Sequence, residues 1–273
     1  MIIAISCYNG KVSEVYRMGV KQLIGRIRKA DKDYGLINNG DRICIGVSGG
    51  KDSMMLLYCI HLNRRVAKRF DDKDFEIVGV HLNMGFPDMD FEPVRQWCAK
   101  QGIPFEDVDT KIYEILKMHP KDDGNIQCSL CSKLKKGAIV QEAIRLNCNK
   151  TAFAHHADDA IETLFMNGIY GGRLATFSPQ MHLSRTEMDF IRPFIYCFES
   201  DINKSARELN IPIVKSTCPM DGYTSRQDIK ELLHSIYHQY PMAKQNFLLM
   251  LHNTKQTDLW VKVSNEDDQT DIS

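Results

Sequence analysis

A glycine-rich loop between a strand and a helix constrains the fold of this chain more than any other feature. Residues 42–47 are rich in β-branched side chains, residues 48–53 read Ser-Gly-Gly-Lys-Asp-Ser, and residues 52–70 carry a helical pattern. A loop that opens a helix offers free backbone N–H groups and the positive end of the helix dipole, which together bind anions. The spacing fits neither the P-loop nor the dinucleotide-binding Gly-x-Gly-x-x-Gly pattern. We therefore expect a phosphate site within an α/β fold.

Strands and helices alternate along most of the chain. Further strands are expected at 76–82, 105–109, 151–154 and 191–195, and further helices at 13–29, 91–100, 133–146, 159–166, 201–209, 225–240 and 243–252. The alternation predicts a doubly wound parallel sheet with helices on both faces. The expected division is an N-terminal helical arm (1–40), an α/β domain (41–222), a C-terminal helical segment (223–257) and an acidic, disordered tail (258–273).

The charge balance excludes a protein that coats nucleic acid through a general basic field. The chain has 35 Lys and Arg against 35 Asp and Glu, so any contact with RNA depends on local patches. Segment 11–33 holds seven basic and three acidic residues. The other candidate RNA contacts are Arg64, Arg65, Lys68, Arg69, Lys133, Lys135 and Lys136.

Cysteine usage and hydropathy indicate a cytoplasmic protein. Nine cysteines are odd in number and too few for a disulfide scaffold. The longest apolar run, 54–60, is far shorter than the ~20 residues of a membrane span. Five cysteines on or near predicted strands and helices are expected to be small buried hydrophobes: Cys44, Cys59, Cys98, Cys148 and Cys197.

Cys128 and Cys131 form a Cys-x-x-Cys pair, expected on a loop that leads into a basic helix. Such a pair suits a redox couple, half of a zinc site or two ligands of an iron–sulfur cluster. The sequence has no second Cys-x-x-Cys, and Cys218 is the candidate third ligand. Lys135, four residues after Cys131, is either a catalytic group or a solvated cation.

His155, His156, Asp158 and Asp159 lie between a predicted strand and a predicted helix. This position is the carboxyl end of a sheet strand, where open α/β sheets bind ligands. The same residues also fit a metal site, and acidic groups at a helix start stabilise the helix by ~0.3–1 kcal/mol. The cluster is therefore a candidate part of the site.

The Ser-Gly-Gly-x-Asp-Ser loop resembles the signature of the PP-loop ATP pyrophosphatase superfamily, whose domains are adenine nucleotide α hydrolase-like. The resemblance implies that ATP is split between its α and β phosphates, that the loop holds pyrophosphate, and that Asp52 lies beside the metal-bound triphosphate. Adenine is read after the second strand, at 80–85. The residues implied to bind ATP are Ser48, Gly49, Gly50, Lys51, Asp52, Ser53, His81, Met84 and His155.

A narrower resemblance, covering about residues 15–240, is to the two-thiocytidine tRNA thiolase family (TtcA). It is carried by Cys128-Ser-Leu-Cys131, by the His-His-Ala-Asp-Asp run at 155–159, by Tyr-Gly-Gly at 170–172 and by Ile-Arg-Pro at 191–193. The family implies a [4Fe-4S] cluster on three cysteines, here Cys128, Cys131 and Cys218. It also implies a catalytic Asp158, with Asp159 as the alternative. A related thiolase group has a catalytic lysine at the position that Lys135 matches. The later cysteine segment usually reads Cys-x-x-Cys, but position 221 here is Asp.

The implied function is ATP-dependent sulfur transfer to a tRNA base, most simply 2-thiocytidine formation, with ATP, Mg²⁺ and a [4Fe-4S] cluster. The implied partners are tRNA and a sulfur donor, either a cysteine desulfurase or free sulfide. No membrane is implied, and the oligomer allowed for is a homodimer. Four alternatives stay open: a cluster-free persulfide thiolase, zinc at the cysteines, a lysidine synthetase-like ligase, and a non-enzymatic nucleotide sensor.

Overall fold

The computed structural model describes residues 18–87, 89–120, 125–218 and 225–256. Its six-stranded sheet has the order β3-β2-β1-β4-β6-β5, and every pair is parallel except the β5–β6 edge pair. The strands are β1 (Arg42–Gly46), β2 (Glu76–Asn83), β3 (Phe105–Asp109), β4 (Lys150–Ala152), β5 (Gln180–Leu183) and β6 (Met188–Ile191). The predicted α/β class is confirmed.

The described residues form nine α-helices. They are α1 (Met18–Tyr34), α2 (Lys51–Phe70), α3 (Glu92–Gln101), α4 (Ile112–Met118), α5 (Cys128–Arg145), α6 (Ala157–Gly171), α7 (Glu199–Leu209), α8 (Ser225–Gln239) and α9 (Ala243–Met250). A 3₁₀ turn, Thr254–Gln256, follows α9. None of these helices is long and apolar enough to cross a membrane.

Alternation along β1 creates two cores, one on each face of the sheet. Ile43 and Ile45 face a core that includes α1, α2 and part of α7. Cys44, between them, faces a second core built with α4 and α5. Side chains alternate because successive Cβ atoms point to opposite faces of a strand. The sheet is therefore covered on both faces, as the alternating pattern predicts.

Several elements differ from the sequence expectation. The expected N-terminal arm includes α1, and Leu23 and Ile27 of α1 are fully buried in the main core. Its expected start at 13–17 lies outside the described residues, as does the expected acidic tail at 258–273. Helix α5 begins at Cys128 rather than at 133, so the Cys-x-x-Cys pair forms its first turn instead of a loop. Strand β5 and helix α4 were not anticipated.

Candidate functional site

The glycine loop joins β1 to α2 and leaves the start of α2 open. Gly50 caps α2, and no described side chain accepts a hydrogen bond from its first N–H groups. Ser48 and Ser53 bring their hydroxyls within 3.1 Å of each other, and Ser53 Oγ donates to the Gly50 carbonyl. The loop thus holds its own shape and presents unpaired N–H groups and a 20-residue helix dipole to an anion.

Gly49 is required by this loop for two separate reasons. Its φ of +83° lies in the left-handed region, which side chains rarely adopt. A Cβ there would come within 2.7 Å of Phe91 Cζ and 2.9 Å of Val214 Cβ. The Val214 N–H also donates to the Gly49 carbonyl at 3.0 Å. The back of the loop is therefore packed, and its front faces a cavity.

That cavity of about 350 Å³ lies at the carboxyl ends of β1, β2 and β4. The chain leaves β1 toward β2 on one side and returns to β4 on the other, which makes this a switch point where α/β sheets bind ligands. Of the predicted site residues, nine line it: Ser48, Gly50, Asp52, Ser53, His81, Met84, Lys135, His155 and Asp159. Gly49, Lys51, Asp158 and the three cysteines are not in its lining.

Asp52 has the features of a ligand-binding carboxylate. Its Oδ1 atom is buried and has no hydrogen-bond partner among the described residues, while Oδ2 lies 3.2 Å from Lys51 Nζ. A buried carboxylate oxygen without a partner is costly unless a ligand supplies one. The residue thus fits a site for a cation that accompanies phosphates.

Lys51, a predicted ATP contact, lies outside the cavity lining and is held by ion pairs. Its Nζ lies 2.9 Å from Glu199 Oε1, and the other Glu199 oxygen lies 2.8 Å from Lys230 Nζ on α8. Although burial alone raises the pKa of Glu199, the two lysines outweigh it and hold that pKa at about 2. In this arrangement Lys51 ties the glycine loop to α7 and α8.

His81 and Met84 border the cavity from the end of β2. His81 is buried, stacks on Phe91 and places Nδ1 3.1 Å from the Val47 carbonyl. Burial lowers the pKa of His81, and the hydrogen bond to Val47 opposes this only in part. A neutral ring and a thioether make this side of the cavity apolar, which suits the adenine ring that the PP-loop resemblance implies.

His155 and Asp159 face the cavity from the start of α6. The His155 Nδ1 atom is buried and has no partner among the described side chains and backbone groups. Burial lowers the pKa of His155 to about 4 although Asp159 opposes it, so the ring is neutral at pH 7. Asp159 accepts from the His156 N–H in a capping box, which fixes its carboxylate at the cavity edge.

Asp158, the first choice from sequence, is turned away from the cavity. Its carboxylate accepts from the Glu199 N–H at 2.7 Å and lies 2.5 Å from Lys244 Nζ on α9. Of the two aspartates, only Asp159 lines the cavity. Consecutive residues of a helix point about 100° apart, which accounts for the different surroundings of the two carboxylates.

Arg226 is a site residue that no sequence motif indicated. Its Nη1 atom lies 3.1 Å from Asp159 Oδ1 and 3.2 Å from Glu162 Oε2, and Nη2 reaches Thr163. It lies in the first turn of α8, a short distance beyond Cys218. The only available signal was a basic residue on the polar face of a predicted helix.

The three candidate cluster cysteines are neighbours. Burial raises the pKa of Cys131, Lys135 lowers it, and Cys218 and Cys128 raise it again through their own charge, effects that require proximity. Cys128 is exposed, Cys131 buried and Cys218 half-buried. Among the described residues no three His, Cys, Asp or Glu side chains are arranged to hold one metal ion.

The cysteine turn adjoins the cavity through α5. Ser132 and Lys135, one and four residues after Cys131, both line it. The five remaining described cysteines are buried, as predicted, and burial raises the pKa of Cys98 to about 12. Of the three motif cysteines, Cys131 belongs to the same core as Cys44 and Cys148, whereas Cys128 is exposed and Cys218 half-buried.

Fold and site together define a PP-loop protein. The PP-loop domain family matches residues 20–234, and the chain belongs to it. Within that family it belongs with the tRNA-cytidine(32) 2-sulfurtransferases. It is 35% identical to that protein of Geobacter sulfurreducens over 86% of this chain and 90% of the relative. It is 34% identical to that of Coxiella burnetii over 88% and 92%.

A solved structure shares the fold. The U34-tRNA thiolase NcsA from Methanococcus maripaludis, determined with its [4Fe-4S] cluster, superposes with a TM-score of 0.66. The match covers 85% of this chain and 77% of that one at 19% identity. The predicted membership of the thiocytidine thiolase family is confirmed by the curated relatives.

Proposed function

We propose that this chain is a cytoplasmic, ATP-dependent enzyme that replaces the C2 oxygen of cytidine 32 in tRNA with sulfur. One observation carries the proposal: the cavity that the glycine loop opens into is also lined by Ser132 and Lys135, from the helix that begins with Cys128 and Cys131. The phosphate site and the helix that carries two of the thiols thus meet at one cavity. The names of the relatives supply the substrate.

The first half of the reaction would use the glycine loop. The base oxygen attacks the α phosphorus of ATP, a new O–P bond forms, the bond to the β phosphate breaks, and pyrophosphate leaves. The N–H groups at the start of α2 are placed to hold the departing phosphates. Asp52, with its unpartnered buried oxygen, would ligate the Mg²⁺ that accompanies them and lowers their charge.

The second half would replace the activated oxygen. Sulfide adds to C2 and AMP leaves with the former base oxygen, so the oxygen atom ends on AMP. Lys135 lies at the cavity and close to Cys131, where its ammonium would stabilise negative charge on the incoming sulfur and the departing phosphate. Asp159, held by Arg226 and by the cap, would position the nucleotide.

Cys128, Cys131 and Cys218 would hold a [4Fe-4S] cluster. Thiolates are the ligands that such clusters take, and these three thiols are neighbours of one another and of Lys135. When bound, a cluster with only three protein ligands supplies an open iron at which sulfide from a donor is held. Since its thiolates bind different irons, the absence of a single-ion group among the described residues is compatible with it.

The test is thionucleoside mass spectrometry of tRNA incubated anaerobically with the protein, ATP, Mg²⁺ and sulfide. We expect 2-thiocytidine, about four irons per chain after reconstitution, and loss of both in Cys128→Ser, Cys131→Ser or Cys218→Ser. Cys98→Ser is the control. Iron-free protein that still forms 2-thiocytidine would overturn the cluster, because sulfide would then add to C2 without iron, and no thionucleoside at all would overturn the function.

A further inference from the structure

A second cavity, of about 230 Å³, has no part in the nucleotide site. It lies between the end of α1, the loop at 172–179 and the C-terminal end of α9. The aromatic residues that line it are Tyr34, Phe177, Tyr196 and His252. His252 and Thr254 are exposed at its edge, so the cavity is reachable from outside.

The aromatic rings of this cavity meet one another at tilted or edge-on angles. Tyr34 and Tyr196 lie 6.0 Å apart, and His252 meets the Tyr196 ring edge-on at 5.4 Å. The Lys29 ammonium lies 4.3 Å from the centre of the Tyr196 ring while also pairing with Asp33. The Tyr196 hydroxyl donates to Asp33 and lies 3.1 Å from the Tyr34 hydroxyl, from which it can accept, so polar groups edge an otherwise apolar space.

A single pair of rings separates this cavity from the nucleotide cavity. Phe177 lines the second cavity, and its ring centre lies 5.2 Å from that of His155, which lines the first. Ala160 lines the second cavity and directly follows Asp159 of the first. The two spaces are thus adjacent along the surface.

We propose that the second cavity binds the base of nucleotide 33 of the tRNA, the unpaired neighbour of the cytidine that is modified. This inference rests on the proposed function, because it requires cytidine 32 beside ATP in the first cavity. Nucleotide 31 is paired in the stem, so nucleotide 33 is the adjacent base that can leave its stack. The two cavities meet at the ring contact between Phe177 and His155, so two consecutive nucleotides would occupy them in turn.

The chemistry of the cavity favours a nucleobase over other ligands. Sequence-selective RNA binding mostly takes unpaired bases, which stack on aromatic rings or Arg planes and use their edges for hydrogen bonds. Stacking with a nearby cation is also how single strands are held. The helix that ends at Tyr34 also carries Lys21 in its first turn and Lys32 in its last turn, both exposed and without a described ion-pair partner.

The test is a double-mutant cycle between Tyr34 and the base at position 33. Binding of an anticodon stem-loop RNA is measured by fluorescence anisotropy with wild type and with Tyr34→Leu, using intact RNA and RNA abasic at position 33. Stacking of one base predicts about 5- to 150-fold weaker binding for either single change. The doubly changed pair should bind no more weakly than either alone, and Tyr34→Phe should restore the wild-type value.

Two controls, and the outcomes that would contradict the subsite, separate this proposal from the proposed function. Tyr240→Leu removes an exposed ring outside both cavities and should not change the affinity for RNA. An abasic site at the middle anticodon nucleotide should leave the ratio of the Tyr34→Leu affinity to the wild-type affinity unchanged. If the effects of Tyr34→Leu and of the abasic site at position 33 on the free energy of binding are strictly additive, the subsite is overturned even if 2-thiocytidine forms. A cavity that is closed by protein or taken by another ligand would give this result. Wild-type protein that binds no RNA would overturn both proposals.

Discussion

The ammonium of Lys51 lies 2.9 Å from the carboxylate of Glu199, so the lysine within the glycine loop is held by the protein rather than offered to phosphate. Lys230 binds the same carboxylate from α8. One acidic side chain thus joins the phosphate loop, α7 and the C-terminal helices.

Glu199→Gln should destabilise the fold in a pH-dependent manner. The folded-state pKa of Glu199 is about 2, below its ordinary 4.5. A lowered pKa adds stability that is full above the ordinary value and is lost as the pH falls toward 2. We expect urea unfolding at pH 7 to show that the free energy of unfolding falls by on the order of 1–3 kcal/mol. This loss should shrink as the pH drops below 4.5.

Glu76→Gln is the control, because it breaks an exposed pair with Arg42. It should lower the free energy of unfolding by less than about 1 kcal/mol at either pH, and an equal loss in both variants would contradict the prediction.

Gly49→Ala should damage both stability and nucleotide binding. The new Cβ would approach Phe91 and Val214 within 3 Å, at a positive φ. Strain and overpacking of this kind cost about 1–3 kcal/mol each. Gly168→Ala is the matched control, because it is exposed in α6 with no atom within 4 Å of its Cβ; it should gain up to about 1 kcal/mol. Melting temperatures of the two variants that move in the same direction would be inconsistent with this loop geometry.

Asp52→Asn should stop ATP cleavage without unfolding the protein. The buried Oδ1 atom has no partner among the described residues, so the change removes no described hydrogen bond from that atom. Loss of one electrostatic group at developing charge typically slows a reaction by about 100- to 1,000-fold. Pyrophosphate release is the measurement, and Asp71→Asn, at the other end of the same helix, is the control. Wild-type turnover in the Asp52 variant would exclude a role at the triphosphate.

Lys133→Gln should weaken tRNA binding through a phosphate contact. Lys133 is exposed and has no described ion-pair partner, whereas Lys68, in the other basic cluster, pairs with Asp74 at 2.7 Å. Each phosphate contact contributes about 0.7–0.9 to the slope of log affinity against log salt. The slope measured with tRNA should fall by about that amount in Lys133→Gln and stay unchanged in Lys68→Gln. Unchanged slopes in both would remove α5 from the RNA surface.

Strands and helices with a strong local residue pattern could be predicted from the sequence, whereas those that depend on packing could not. Strand β3 was predicted with the bounds that the structure shows, 105–109, and α2 within one residue. Helix α5 was predicted to start five residues late, since Cys128–Ser132 carries no helix-start signal. The short antiparallel β5 depends on its pairing with β6, which local pattern does not encode.

The candidate site was predicted in its parts but not in its orientations. The glycine loop and the cysteines follow from motifs, because residue type alone indicates their chemistry. Which of Asp158 and Asp159 faces the cavity depends on the rotation of α6 set by packing against α8. Arg226 is distant in sequence from Asp159, so their contact exists only once the chain is folded.

The hydrogen bond from the Val214 N–H to the Gly49 carbonyl links the glycine loop to the segment that leads to Cys218. Cys218 is four residues beyond Val214, so the third thiol and the phosphate loop are connected by a short stretch of backbone. In the proposed reaction, a displacement of the loop as triphosphate enters or pyrophosphate departs would be transmitted along this stretch toward Cys218. The path of the backbone would then couple nucleotide binding to the handling of sulfur.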